Sequence, residues 1–115
     1  MSNRGAINAV TSAARTTTGN SAAISTDYGN STQLNLLINV TAASGTGPTL
    51  DLKVQWSADG TNWADAEPAT DTFTQITTAK VVAKQFTVKA PNFRILWTIA
   101  GTSPSFTFTA DAYIP

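Results

Sequence analysis

Four carboxylates, Asp59, Asp65, Glu67 and Asp71, crowd the segment 59–71 and are the residues best placed by type to do chemistry. Clustered acids can ligate calcium through oxygen, and two of them held across a glycosidic bond can act as an acid/base pair. The spacing matches no EF-hand loop, and nothing local sets two acids across a cleft. A solvated acidic loop interrupted by Pro68 is the simpler account. The aromatic side chains Trp56, Trp63 and Tyr113 invite a second chemistry, the stacking of a sugar ring on an exposed face. Trp56 falls in phase with Leu50, Leu52 and Val54 and reads as core, whereas Trp63 lies beyond a turn and keeps both roles open.

The chain of 115 residues contains no His and no Cys. That removes the ordinary zinc site, the His-based triad, the thiol nucleophile and a disulfide framework together. The expectation is a protein that is not an enzyme and holds no metal or cofactor. Seven Lys plus Arg balance seven Asp plus Glu, so no basic field favours nucleic acid. No segment approaches the roughly 20 apolar residues of a spanning helix, and the first residues lack the apolar core of a secretory signal. A cytoplasmic origin with no membrane partner is expected. Asn30-Ser31-Thr32 and Asn39-Val40-Thr41 match the glycosylation pattern and read as chance in a Thr- and Ser-rich chain.

The elements that would position these residues are strands. Leu34, Leu36, Ile38 and Val40 alternate with polar residues over about 32–43, and Leu50 to Trp56 repeat the pattern. Ser44-Gly45-Thr46-Gly47-Pro48 between them reads as the turn of an antiparallel hairpin. Ser57 to Asn62, with Asp59-Gly60 at its centre, reads as a second hairpin turn. Phe73 and Ile76 mark a short, poorly periodic strand. Val81 to Val88 gives another, whose apolar face of Val82, Phe86 and Val88 is broken by Lys84, as a bulge or an edge position would allow. Phe93, Ile95, Trp97 and Ile99 alternate again, Gly101-Thr102-Ser103-Pro104 turns the chain, and Phe106 to Ile114 finish the series. Seven to eight such strands predict an all-β fold, an antiparallel sandwich or jelly roll. Leu37 and Leu96 break the polar faces of their strands, which makes them candidates for contact with another subunit.

Residues 1–31 differ in composition, with Ile7, Val10, Ile24 and Tyr28 as sparse apolar anchors among Ser, Thr, Ala, Asn and Gly. They are expected to form an extended N-terminal arm ahead of a β domain at 32–115, either a frayed terminus or a segment that orders on a partner. A helix over Ala6 to Arg15 is the weaker local alternative. Thr16-Thr17-Thr18 and Ala22 to Ser25 could instead supply short strands that add to a neighbouring sheet.

The turn Trp56 to Trp63, WSADGTNW, resembles the strand-turn signature of discoidin-type and related carbohydrate-binding sandwiches, where it is chiefly structural. More extensively, LNLLINVTAASGTGPTLDLKVQWSADGTNW and FRILWTIAGTSPSFTFTADAYI are similar to a group of small virion proteins of tailed bacteriophages, over roughly 34–114. That resemblance implies a capsid decoration, or cement, protein that grips the outer capsid surface and bridges neighbouring subunits of the major capsid protein. A tail or head-tail accessory protein and a carbohydrate-binding module are the alternatives. It further implies a homo-oligomer, with a trimer favoured, located on the virion after synthesis in the host cytoplasm. On this reading Arg4, Ile7, Val10, Arg15 and Ile24 of the arm would hold the capsid, with Arg4 and Arg15 facing acidic residues. Leu37, Trp63, Leu96 and Tyr113 would contact a second subunit or a glycan.

Overall fold

A computed structural model describes residues 6–25, 33–67 and 70–113. Among them are seven strands and no helix: β1 Ala6–Arg15, β2 Gly19–Asn20, β3 Ile24–Ser25, β4 Gln33–Ser57, β5 Ala64–Asp65, β6 Lys80–Thr87 and β7 Asn92–Tyr113. All pairings are antiparallel, and they join into one sheet in the order β1-β7-β4-β5, with β2 and β3 also on β7 and β6 also on β4. The fold is all-β, as the alternation predicts.

Its connectivity departs from the expected series of hairpins. The segments before and after Ser44–Pro48 do not pair with each other; both belong to β4, and β7 accompanies them along nearly its whole length, from Asn35↔Tyr113 to Ser57↔Asn92. At roughly 3.3 Å per residue, a straight strand of the length of β7 would run about 70 Å, yet the molecule measures 45 × 28 × 21 Å. The ribbon is therefore bent. Gly45 (φ 113°), Gly47 (φ 59°), Gly101 (φ 123°) and Ser103 (φ 48°) adopt left-handed backbone where the two strands turn a corner together. Register shifts between Ser44 and Thr49 accompany the bend.

Folding at the corner brings the two halves of the sheet face to face in a sandwich-like arrangement. Trp97 and Phe108 lie on opposite sides of the bend in β7, yet their ring centroids are 5.6 Å apart in an edge-to-face pair. On the opposite flank, Phe73 meets Phe86 in the same way at 5.6 Å. The core between the halves holds the expected alternating sets: Leu34 to Val40, Leu50 to Trp56, Phe93 to Trp97 and Phe106 to Ala112. The inward positions in β7 change from odd to even numbers across Gly101–Pro104, so the corner absorbs one residue of phase.

The arm is extended, but its described part belongs to this sheet. β1 covers one half of β7 and β2 and β3 cover the other, turning the same corner at Thr16–Thr18. Ala6–Arg15 is a strand and not a helix, because β7 offers it a ladder and Val10 a place in the core, 3% exposed opposite Ala110. β1, β2 and β3 thus pair across the boundary expected at residue 31. Lys84 occupies an edge strand, as the broken apolar face suggests: it rises from the inward face of β6, and its ammonium donates to the carbonyls of Thr70 and Thr72 on the facing half.

Candidate functional site

Among the described residues, the large apolar side chains left exposed to solvent stand on the outer face of the β1-β7-β4-β6 half. Leu37 is 46% exposed, Val81 59% and Tyr113 50%. The register explains their proximity: Leu37 stands opposite Ala83 on one side and Asp111 on the other, with Val81 and Tyr113 at the diagonal positions. Leu37 and Tyr113 border a shallow depression of about 310 Å³ whose walls include Ala83, Asn35 and Asp111. Asp111 accepts a hydrogen bond from the Asn8 amide at 2.9 Å, which ties β1 to the rim. Leu37 and Tyr113, both expected as contact residues, are therefore brought together. Val81 carries no such signal in the sequence, because its place on that surface depends on pairing β6 with β4 and not on the pattern within β6.

The other half has a polar outer face. Arg94 Nε donates to Gln55 Oε1 at 2.8 Å, and Gln55 Nε2 to Asp65 Oδ1 at 3.0 Å. Lys53 Nζ reaches Asp65 Oδ2 at 3.0 Å, closing a chain of side chains across three strands. The Gln55 amide first and the Lys53 ammonium second hold the Asp65 carboxyl below the usual range. Trp63 is half-buried, with the Arg94 guanidinium 4.7 Å from its ring centroid, so one face of the indole is already occupied. Leu96 is half-buried in the sheet between Asn20 and Lys53. Neither residue joins the Leu37 surface.

The four carboxylates do not converge. Asp59 Oδ1 accepts from the backbone N–H groups of Thr61 and Asn62 at 2.9 and 2.8 Å and from the Ser57 hydroxyl at 3.0 Å, while Oδ2 accepts from the Asn62 amide at 2.7 Å. Gly60 supplies the left-handed residue of this turn, at φ 78°. Asp65 belongs to the polar chain, and Glu67 is exposed. Asp71, placed by sequence in a solvated loop, is instead 5% exposed. It accepts from Trp56 Nε1 at 2.6 Å and pairs with Lys89 at 2.9 Å. The indole N–H of a core tryptophan needs a buried acceptor, and that requirement draws the acid inward. Among the described residues no group of three acids could hold a metal ion.

The bonds from the Asn62 and Thr61 N–H groups, followed by those from the Asn62 and Ser57 side chains, hold the Asp59 carboxyl far below the ordinary carboxylate range. A carboxyl depressed in the folded state contributes stability above its unfolded pKa and loses it as pH falls through the folded one. Asp59→Ala is expected to lower the melting temperature at neutral pH. The gap from the parent should close only in strongly acidic solution. Parallel thermal melts across pH check this, and a gap that vanishes already near pH 5 contradicts it.

The arm residues occupy several environments. Val10 is core, while Ile7 and Ile24 pack against the core from the sheet edge. Arg15 lies at the inner corner, its guanidinium carbon 4.8 Å from the Trp97 centroid and 5.4 Å from that of Phe108. Arg4 lies outside the described residues, as does Tyr28. No protein-family model matches the chain, and a search of curated proteins finds no match.

Proposed function

We propose that the chain is a structural accessory protein of a tailed-phage particle, a capsid decoration protein that binds the outer shell and bridges neighbouring copies of the major capsid protein. The observation that carries the reading is the patch of Leu37, Val81 and Tyr113, three large apolar side chains on three adjacent strands of a braced sheet. Such a surface is what a stationary partner covers, and a lattice presents that partner many times. The resemblance to phage virion proteins supports the reading, and its two most distinctive segments contain the glycine corners that give this sheet its shape. Assembly as a symmetric homo-oligomer, a trimer by preference, would multiply each contact.

Imaging of particles with and without the protein tests the proposal. Added density on the outer shell is expected, and density confined to the tail would move the assignment to a tail accessory protein. The patch is tested by Leu37→Asp combined with Val81→Asp. Capsid occupancy in co-sedimentation should fall by at least about tenfold, the equivalent of 1.4 kcal/mol. Stability should change by no more than about 0.5 kcal/mol per site, as for ordinary surface positions. Full occupancy by a folded double variant would remove the patch from the binding surface.

A further inference from the structure

The inner corner of the sheet carries an arginine whose surroundings are unlike those of a free surface cation. Arg15 Nη2 donates to the Thr11 carbonyl at 2.7 Å, and Nε is buried with no partner. The guanidinium sits in the angle between Trp97 and Phe108, whose rings are inclined at 79°. Among the described residues no carboxylate pairs with it, whereas Lys53 and Lys89 each have one. Its charge is therefore met by one carbonyl and two ring faces. Ring faces attract a cation but accept no in-plane hydrogen bond, which leaves donors of the planar fork unspent.

Beside it lies an open depression of about 250 Å³, lined by Arg15, Thr16, Thr17, Thr18, Gly19 and Trp97, with Ala14 at its edge. Its floor is fixed. Trp97 Nε1 donates to the Thr17 carbonyl at 3.2 Å, and Thr18 Oγ1 accepts from the Ile99 N–H at 3.1 Å. Gly19 lies directly on the indole, where an added Cβ would approach the ring to 3.0 Å. Any side chain at that position would have to push the indole aside by a few tenths of an ångström, so glycine lets the loop follow this path closely.

We infer that this corner is a preformed socket for a carboxylate, supplied by an acidic side chain of the protein on which the chain docks. Aromatic rings beside a guanidinium take up none of its in-plane N–H groups, and those that remain free present the geometry that a carboxylate matches in bidentate fashion. Partial burial makes an unneutralised charge more costly than on an open surface, so pairing there gains more. The socket rests on the proposed docking role for the identity of its partner, but its chemistry is independent of it.

The test uses the full chain labelled with ¹⁵N. The Trp97 indole N–H and the Arg15 Nε–H signals are followed during titration with sodium acetate, a C-terminally amidated glutamate peptide, inorganic phosphate and sodium chloride. Acetate and the peptide should shift both signals saturably, with a midpoint at least about tenfold below any chloride effect, as one charge-assisted hydrogen bond provides. Phosphate binding tighter than either would reassign the socket to phosphate. In Arg15→Lys the saturable shift of Trp97 should be lost while the remaining spectrum is retained. The same shifts with chloride, or a saturable Trp97 shift surviving in Arg15→Lys, would overturn the inference. If that variant fails to fold, the parent titration decides alone. Co-sedimentation of Arg15→Lys with capsids separates the two readings: a working socket with unchanged capsid occupancy overturns only the identity of the partner.

Discussion

Gly101→Ala is expected to destabilise the protein by about 3 kcal/mol, roughly 10 °C or more in melting temperature for a domain of this size. Two effects combine. Gly101 has φ 123°, a conformation that an L side chain rarely adopts, and a Cβ there would meet the Gly47 oxygen at 2.8 Å and the Pro48 Cα at 2.9 Å. Both opposing atoms are backbone, so no rotamer change relieves the clash. Gly45→Ala should behave similarly, since its Cβ would lie 2.7 Å from the Ser103 carbonyl oxygen. Gly47→Ala is the control: φ is 59° and nothing lies within 4 Å, so only the intrinsic left-handed penalty of about 1 kcal/mol applies. Urea unfolding of the three variants checks the ranking. Equal, small losses at all three would mean that the corner is not a tightly packed crossing of two strands.

That crossing also marks what the sequence reveals and what it hides. Alternation exposes the faces of the strands, because Leu34 to Val40 or Phe106 to Ala112 must point one way whatever their partner. It likewise exposes the Ser57–Asn62 turn, whose Asp-Gly pair acts locally by returning β5 directly onto the end of β4. The cluster Ser44–Pro48 has the same composition as a turn and serves a different purpose. Glycine and proline permit a sharp change of direction; whether the flanking strands then meet each other or continue beside a third depends on residues far away, such as Gly101 and Ser103. Trp63 and Leu96 look as eligible as Leu37 in the sequence, and only register separates them. Arg94 occupies one face of Trp63, whereas Val81 and Tyr113 extend the surface begun by Leu37. Arg15 gives a signal of charge alone, since the rings that frame it come from the opposite end of the chain.

Removal of residues 1–15 should cost the fold itself and not merely a docking arm. β1 has few large apolar residues, but Ile7 and Val10 stand opposite the small Ala112 and Ala110, which cannot cover the core without them. Loss of Val10 alone removes about 1.5–3 kcal/mol of burial. The Asn8–Asp111 bond, the Arg15 contacts with Trp97 and Phe108, and the ladder to the C-terminal half of β7 are lost as well. Against a total of about 5–15 kcal/mol, these losses leave little net stability. They also bare the edge of a long strand, which is a template for pairing between chains. The 16–115 fragment is therefore expected to aggregate or to melt without a cooperative transition, as light scattering and circular dichroism would register. A synthetic peptide spanning residues 6–15 should restore a soluble, cooperatively melting complex. A monomeric fragment melting close to the full chain would show that β1 is dispensable. In that event the N-terminal residues would again be available as a detachable arm, which this pairing otherwise denies them.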